Sequence, residues 1–273
     1  MRIFRAFFSL LVLTNLFSCA LTHSDFATEV RGEPASLHWL MAHRGGKQEA
    51  HGNSLRAILT AAKEGVPVIE IDLRRSTNGE IFLCHGKHLV DEGVTVAGNP
   101  KAGIETLSSE EIRTLVYPGP EHDPIATYEE ALYAIKPYRS GLELDIKNDS
   151  PDLTRQALQM AQHAGLGMRV IVPAEAGNIA EKRKLYPDAI LEVRVYSVKE
   201  AQESLKYHPD IVGIDEDFLD DTLASDIHAA GAKISTKTLD ALGDTAEHRE
   251  ALFHRGVNLI LTDFPFGVDR PLQ

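Results

Sequence analysis

The sequence predicts an α/β protein built as a (β/α)8 TIM barrel. Short apolar runs alternate with helical patterns from residue 38 to the end of the chain, as in a parallel sheet covered by helices. The chain has 273 residues, and such a barrel typically needs about 250. No glycine-rich dinucleotide-binding fingerprint follows the first strand, so a Rossmann fold loses its main support.

Nine segments have the pattern of strands, one more than a barrel of eight requires. They are Leu40–His43, Val68–Leu73, Ile81–His85, Leu142–Lys147, Arg169–Pro173, Ile190–Val195, Ile211–Asp215, Lys233–Lys237 and Leu259–Asp263. Only seven residues join the second segment to the third, and they include Asn78-Gly79, a turn signal typical of hairpins. Parallel neighbours cannot be joined so briefly. We therefore predict that Ile81–His85 is a hairpin after strand 2, and that the other eight form the barrel.

Helical patterns separate most of these strands, for example over Ser54–Glu64, Tyr128–Ile135 and Asp152–Ala164. Residues 86–126 form the longest stretch without a barrel strand, and we predict that they are an insertion over the C-terminal mouth. No linker rich in Pro, Gly or Ser divides the chain. The sequence thus predicts one barrel domain over residues 37–273.

The N-terminus has the pattern of an export signal. Arg2 and Arg5 precede a mostly apolar run of twelve residues, too short for a membrane span and typical of a secretory signal over residues 1–18. Leu16-Phe17-Ser18-Cys19 resembles a bacterial lipoprotein box, in which the cysteine carries lipid. Cleavage near Ala20 without lipid is the alternative, and an apolar helix buried in the domain is a third. Residues 19–36 are predicted to be a tether, and the protein to be exported as a periplasmic or outer-membrane lipoprotein, or otherwise secreted.

The charge balance limits the partners of the chain. Its formal net charge is −12, which repels nucleic acid, so an anionic substrate needs a local positive centre. The two cysteines cannot build a disulfide scaffold. We therefore expect no nucleic-acid partner, and the lipoprotein-like N-terminus predicts contact with a membrane only through its lipid.

Acidic residues occupy the inner face of two predicted strands. In Val68–Leu73, the alternation places Glu70 and Asp72 inside the barrel, and in the strand that begins at Leu142 it places Glu143, Asp145 and Lys147 there. Carboxylates inside a barrel repel one another unless a cation holds them, and oxygen ligands suit Mg²⁺ or Ca²⁺. A structural layer of salt bridges, such as Asp145 with Lys147 or Arg44, is the alternative.

An ordered set of short motifs runs along the chain: His43-Arg44-Gly45-Gly46 followed by Asn53-Ser54, then Glu70-Ile71-Asp72, the strand ending in His85, Pro124–Glu130, Asp145-Ile146-Lys147, and Thr262-Asp263-Phe264-Pro265. This set resembles the motifs of the glycerophosphodiester phosphodiesterase family, within the wider phospholipase C-like superfamily. The resemblance runs in order from about residue 40 to residue 268.

The resemblance implies a metal-dependent phosphodiesterase that cleaves glycerophosphodiesters to glycerol phosphate and an alcohol. It implies roles for eight side chains: Glu70, Asp72 and Asp145 as ligands of one divalent cation, Mg²⁺ or Ca²⁺; His43 and His85 as the acid–base pair; and Arg44, Lys147 and Asn53 as substrate-binding residues. Glu143 is an alternative metal ligand one layer deeper. The attacking group is either water or the adjacent glycerol hydroxyl.

Three departures from the family pattern keep other functions open. His51-Gly52 stands where Pro-Glu is usual, Gly86 stands where an Asp usually follows the histidine, and the usual Trp near Lys233–Lys237 is missing. The alternatives are a phospholipase-like or sphingomyelinase D-like enzyme acting on intact lipid headgroups, and a binding protein without turnover. His51 is either a loop residue or an additional functional imidazole.

Overall fold

The computed structural model describes residues 26–33, 37–48, 50–239 and 243–267. The predicted signal peptide lies outside the described residues, and so do residues 19–25 of the predicted tether. Across the described ranges, every helix is too short or too polar to cross a bilayer.

A closed sheet of eight parallel strands forms the centre of the fold, as predicted. The described residues contain these eight strands and the additional short strand β3: β1 (Trp39–Ala42), β2 (Val68–Arg75), β3 (Ile81–Leu83), β4 (Gly141–Ile146), β5 (Val170–Glu175), β6 (Ile190–Val195), β7 (Ile211–Ile214), β8 (Lys233–Thr238) and β9 (Leu259–Thr262). The spatial order is β1-β9-β8-β7-β6-β5-β4-β2, and β1 also pairs with β2 and closes the barrel. β3 pairs antiparallel with β2, which confirms the hairpin.

The helices follow the strands in sequence and cover the outside of the barrel, except α1 and α3. They are α1 (Phe26–Arg31), α2 (Leu55–Lys63), α3 (Ser109–Ile112), α4 (Tyr128–Ile135), α5 (Pro151–Ala164), α6 (Ile179–Leu185), α7 (Val198–Ser204), α8 (Asp221–Ala229) and α9 (Ala246–His254). Side-chain hydroxyl groups cap the N-termini of several helices. At α2, for example, the Ser54 hydroxyl accepts a hydrogen bond from the Ala57 amide. Ile69, Ile71 and Leu73 are fully buried between sheet and helices. The inner face is left to Glu70 and Asp72.

The N-terminal end of the barrel is closed by α1, which sequence analysis assigned to the tether. Phe26, Ala27 and Val30 are buried against the first residues of the strands, and the Phe26 ring stacks on Trp39. A Cβ on Gly141, the first residue of β4, would overlap the Phe26 ring. Residues 26–33 therefore belong to the packed domain, because they bury apolar area that the barrel leaves open at this end.

The insertion after β3 has its own apolar core and lies at the C-terminal mouth. Its core packs on Phe82 of β3 and comprises Cys84, Leu89, Val94, Ala102, Ile104, Leu107, Ile112, Tyr117 and Ile125. Arg74 of β2 ties it to the barrel, with one guanidinium nitrogen 2.5 Å from Glu105 and the other donating to the His85 carbonyl. Burial raises the pKa of the Cys84 thiol to about 12, which makes it an unreactive packing group.

Candidate active site

A strained turn at the end of β1 carries the first predicted histidine. Arg44, Gly45 and Gly46 all have positive φ, at 53°, 83° and 87°. A Cβ on Gly45 would come within 2.8 Å of the Ile58 amide nitrogen, so α2 packs directly against this turn. The Arg44 amide donates to Glu70 Oε2 at 2.8 Å. The turn thus aims His43 and Arg44 at the acidic face of β2, and its strain marks a functional position.

His43 is oriented by Asp263, which follows the last barrel strand. His43 Nδ1 lies 2.6 Å from Asp263 Oδ1, and Lys47 Nζ lies 2.7 Å from Asp263 Oδ2. Burial would raise the pKa of Asp263, but the hydrogen bonds from His43 and Lys47 outweigh it and lower that pKa below its ordinary value. An ionised Asp263 accepts a hydrogen bond from the Nδ1–H group of His43. This leaves His43 Nε2 without a proton and directed toward the pocket, 4.0 Å from Glu70 Oε2.

The three carboxylates predicted as metal ligands meet at the mouth. Asp72 and Asp145 are directly paired across β2 and β4, and ligand oxygens of Glu70, Asp72 and Asp145 all lie within 4.8 Å of one another. Burial, then repulsion from Asp72 and Asp145, raises the pKa of Glu70 well above its ordinary value. This crowded, oxygen-only donor set fits a hard divalent cation, because such an ion relieves the repulsion.

Two cations border the same cluster. Lys147 Nζ lies 2.5 Å from Asp72 Oδ1 and 2.8 Å from Asp145 Oδ2, and Arg44 Nε lies 3.3 Å from Asp72 Oδ2. The ion pair between Lys147 and Asp145 is the one that the salt-bridge alternative expected. The geometry therefore contains both arrangements that the sequence left open, a carboxylate triad that fits an ion and a salt bridge between Lys147 and Asp145.

Asn53 is placed behind the cluster and not in the open pocket. Its side-chain amide donates to Asp72 Oδ2 at 2.7 Å, and its oxygen accepts from the Asp72 amide at 3.0 Å. The residue is 1% exposed. Both polar ends are thus committed to Asp72, and the geometry gives Asn53 the task of holding that carboxylate. This differs from the substrate contact expected of it, because both hydrogen-bonding ends of the side chain face Asp72.

His85 lies at the rim of the mouth, just beyond β3. Its side chain is 45% exposed. Partial burial lowers the pKa of His85 below the ordinary 6.5; Asp72 opposes this, and the nearby Arg44 and Lys147 add to it. His43 is more enclosed, with its side chain 11% exposed. The two predicted catalytic imidazoles therefore border the carboxylate cluster from different elements and differ in access to solvent.

The floor of the mouth carries a second acidic layer that continues into a cavity of about 220 Å³. Glu143, the alternative ligand, accepts from Arg194 Nη2 at 2.9 Å, and Arg194 also lies 3.5 Å from Asp145. Burial, then repulsion from Glu192, raises the pKa of Glu143 well above its ordinary value. Glu192 accepts a hydrogen bond from Ser235. Glu143 is thus paired in the deeper layer, outside the carboxylate triad.

Sequence analysis gave no role to three side chains that shape this site: Asp263, Arg194 and Glu92. Arg194 lies in the predicted strand Ile190–Val195, and Asp263 ends the predicted strand Leu259–Asp263. Glu92 lies in the insertion, where no periodicity or motif singles it out. Asp263 had a usable signal, since it follows a strand and belongs to the closing Thr262-Asp263-Phe264-Pro265 motif.

Comparison with known proteins identifies similar chains and folds. Residues 43–266 match the sequence model of the glycerophosphoryl diester phosphodiesterase family. The chain is 26% identical over 238 residues to glycerophosphodiester phosphodiesterase GDPD4 of Arabidopsis thaliana, covering 82% of this chain and 70% of that one. It is 29% identical over 160 residues to glycerophosphodiester phosphodiesterase 1 of Homo sapiens, covering 56% of this chain and 46% of that one. The matched region is thus less than half of the human relative.

Solved structures share the fold. A putative glycerophosphodiester phosphodiesterase from Galdieria sulphuraria has a TM-score of 0.73 at 22% identity, covering 85% of this chain and 96% of that one. An Oleispira antarctica phosphodiesterase, solved in complex with the product sn-glycerol-3-phosphate, has a TM-score of 0.67 at 23% identity, covering 84% and 94%. At these identities the likeness concerns the barrel alone.

Proposed function

Because this chain belongs to the glycerophosphoryl diester phosphodiesterase family, a family of phosphoric diester hydrolases, we propose that it hydrolyses glycerophosphodiesters to glycerol phosphate and an alcohol. The observation that carries the proposal is the meeting of the Glu70, Asp72 and Asp145 carboxylates with two cations and two imidazoles at one mouth. The product bound to the Oleispira phosphodiesterase supports the same substrate class.

Glu70, Asp72 and Asp145 are the residues that would hold one divalent cation, for which we propose Mg²⁺ or Ca²⁺. Such an ion supplies positive charge that offsets the negative charge building on the phosphoryl oxygens. Asn53 and the Arg44 amide hold two of the ligand carboxylates in place. Lys147 and Arg44 supply further positive charge to the phosphate, and charge fixed before the reaction lowers the barrier most effectively.

The two imidazoles divide the proton transfers. Asp263 holds the Nδ1 proton of His43, so His43 Nε2 is the basic atom and takes the proton of the attacking hydroxyl. His85 stands at the solvent-exposed rim, where the alcohol leaves, and gives it a proton. Each transfer contributes about 10² to 10⁴ in rate in typical enzymes. The attacking hydroxyl belongs either to water or to the glycerol moiety.

The test is a substrate panel on the purified protein, with glycerophosphocholine, glycerophosphoethanolamine, lysophosphatidylcholine and sphingomyelin as substrates. We expect turnover of the first two, complete loss with chelator, and a loss of more than 10² in kcat in His43→Ala and in His85→Ala. Phosphorus NMR follows the products, and a transient cyclic phosphate identifies glycerol as the attacking group. Turnover of lysophosphatidylcholine or sphingomyelin without turnover of the two glycerophosphodiesters would instead support the phospholipase-like alternative.

We also propose that the protein is exported and lipidated at Cys19, which the residues around that cysteine support. The test is mass spectrometry of the mature N-terminus, with Cys19→Ala as the matched variant. A lipid mass that disappears in Cys19→Ala agrees with the proposal. A mature N-terminus near Ala20 without lipid would contradict the proposal and indicate a secreted protein that carries no lipid anchor.

A further inference from the structure

Glu92 of the insertion lies, in space, between two of the three positions that depart from the family pattern. His51-Gly52 precedes α2, and Gly86 directly follows His85. The 3-10 turn Leu89–Glu92 brings the Glu92 carboxylate between them, with its side chain 9% exposed. Burying a carboxylate costs free energy unless polar partners compensate for the lost water. Glu92 has such partners on both sides, at His85 and at His51.

Glu92 fixes the backbone immediately after His85. The Gly86 amide donates to Glu92 Oε1 at 2.6 Å. A Cβ on Gly86 would lie 2.8 Å from the His88 carbonyl oxygen and 3.0 Å from Glu92 Oε1, so the turn approaches too closely for any side chain there. Gly86 is therefore the residue that admits the carboxylate of Glu92 from the insertion.

The same carboxylate faces two imidazole rings. Glu92 Oε1 lies 3.7 Å from His85 Nδ1, and Glu92 Oε2 lies 3.7 Å from His51 Nε2. The His51 ring is stacked on Tyr117, with ring centres 3.9 Å apart and planes 9° apart. Tyr117 is 1% exposed and donates its hydroxyl proton to the Leu83 carbonyl. The insertion thus supplies both the carboxylate and the wall that holds the second imidazole.

We propose that Glu92 is a positioning residue for His85, presenting its Nε2 to the substrate, with His51 as the counterpart that holds the other carboxylate oxygen. The proposal rests on the proposed function. His85 has two ring nitrogens, and the one toward Glu92 is Nδ1. At 3.7 Å the two atoms are too far apart for a direct hydrogen bond, and catalytic hydrogen bonds that are long without substrate tighten in the substrate complex. The other charged groups facing His85 are Arg44, Asp72, Asp145 and Lys147.

The first test is Glu92→Gln, which keeps an oxygen for the Gly86 amide and removes the charge. We expect kcat on glycerophosphocholine to fall about tenfold, as for other groups that orient a functional imidazole, with KM within about twofold. Glu92→Ala also loses the backbone bond, and its kcat should fall about a hundredfold. The matched control is Glu110→Gln, which removes the same charge from the insertion at an exposed side chain near Asn78, and its kcat should be unchanged.

The second test separates action through His85 from a merely structural role. In a His85→Ala background, adding Glu92→Gln should change the residual kcat by less than about twofold, because partners in one unit are non-additive. A further tenfold loss in that background would overturn the proposal. So would a wild-type kcat in Glu92→Gln.

A third readout does not depend on turnover. In metal-free protein, nitrogen-15 NMR of the histidine rings follows His85, assigned by its disappearance in His85→Ala. Removing the negative charge of Glu92 should lower the pKa of His85 further, because Glu92 raises it in the wild type. An unchanged titration would contradict the proposal even if the enzyme proves inactive on every glycerophosphodiester. Absence of turnover in the wild type would instead refute the proposed function.

Discussion

Replacing Asp263 by Asn tests how the site prepares His43. Asp263 is 4% exposed, and its carboxylate accepts a hydrogen bond from His43 Nδ1 at 2.6 Å. The two residues are 220 positions apart in the sequence. Asn has nearly the same shape and preserves an oxygen. Its amide nitrogen, however, donates to Nδ1 when the group is flipped, which moves the ring proton to Nε2. That tautomer cannot accept a proton at Nε2, so the exchange removes the base without removing the ring.

The magnitude follows from the strength of the lost bond. A hydrogen bond to a charged group contributes about 1.5–3 kcal/mol, which corresponds to about 10- to 150-fold in rate at 1.4 kcal/mol per tenfold. The wrong tautomer adds to this loss, and the comparable Asp-to-Asn exchange in a serine protease triad costs about 10⁴. We therefore expect kcat of Asp263→Asn to fall by about 10² to 10⁴.

The assay is choline release from glycerophosphocholine at saturating divalent ion, with kcat and KM determined separately. The control is Lys47→Met, because Lys47 Nζ contacts the other oxygen of Asp263 but is 47% exposed. Exposed pairs contribute at most about 1 kcal/mol, so this variant should lose less than about fivefold. Circular dichroism verifies that both variants fold. If Asp263→Asn stays within threefold of wild type while His43→Ala is inactive, the orientation of His43 does not depend on Asp263.

Three further outcomes are expected. Binding of the divalent ion, measured by calorimetry, should weaken as pH falls, because the raised pKa of Glu70 keeps a proton that the ion must displace; pH-independent affinity would contradict this. Lys147→Met should lower kcat/KM by about 10² to 10³, because the variant loses a preorganised positive charge. A change below threefold would show that Lys147 does not act on the phosphate. Gly141→Ala should lower the free energy of unfolding in urea by about 1–3 kcal/mol through overlap with Phe26. The loss should shrink in a Phe26→Leu background, and an equal loss in both would exclude this contact.

The strands and the acidic cluster could be predicted because they follow local patterns. Alternation in β2 and β4 fixes which side chains face inward, and parallel pairing then sets Asp72 opposite Asp145. The hairpin was predictable from Asn78-Gly79. These features depend on a few neighbouring residues, which is why the fold class and the meeting of the three carboxylates could be expected before any coordinates.

The remaining features depend on distant parts of the chain. Asp263 reaches His43 only because β9 pairs with β1 when the barrel closes. Glu92 reaches His85 through an irregular insertion whose path no periodicity specifies. The short helix Phe26–Arg31 gains its buried face only from the open end of the barrel, so its sequence alone resembles a polar tether.

The helix α1, which closes the N-terminal end of the barrel, would also set the orientation of a lipid-anchored molecule relative to the membrane. Six residues separate Cys19 from Phe26, so the distance between these two residues is at most about 25 Å. Phe26 packs at the strand starts, whereas the carboxylates lie at the strand ends. A bilayer holding Cys19 would therefore face the base of the molecule and leave the catalytic opening toward the aqueous compartment. Such an enzyme would draw its substrates from solution and not from the leaflet to which it is fastened.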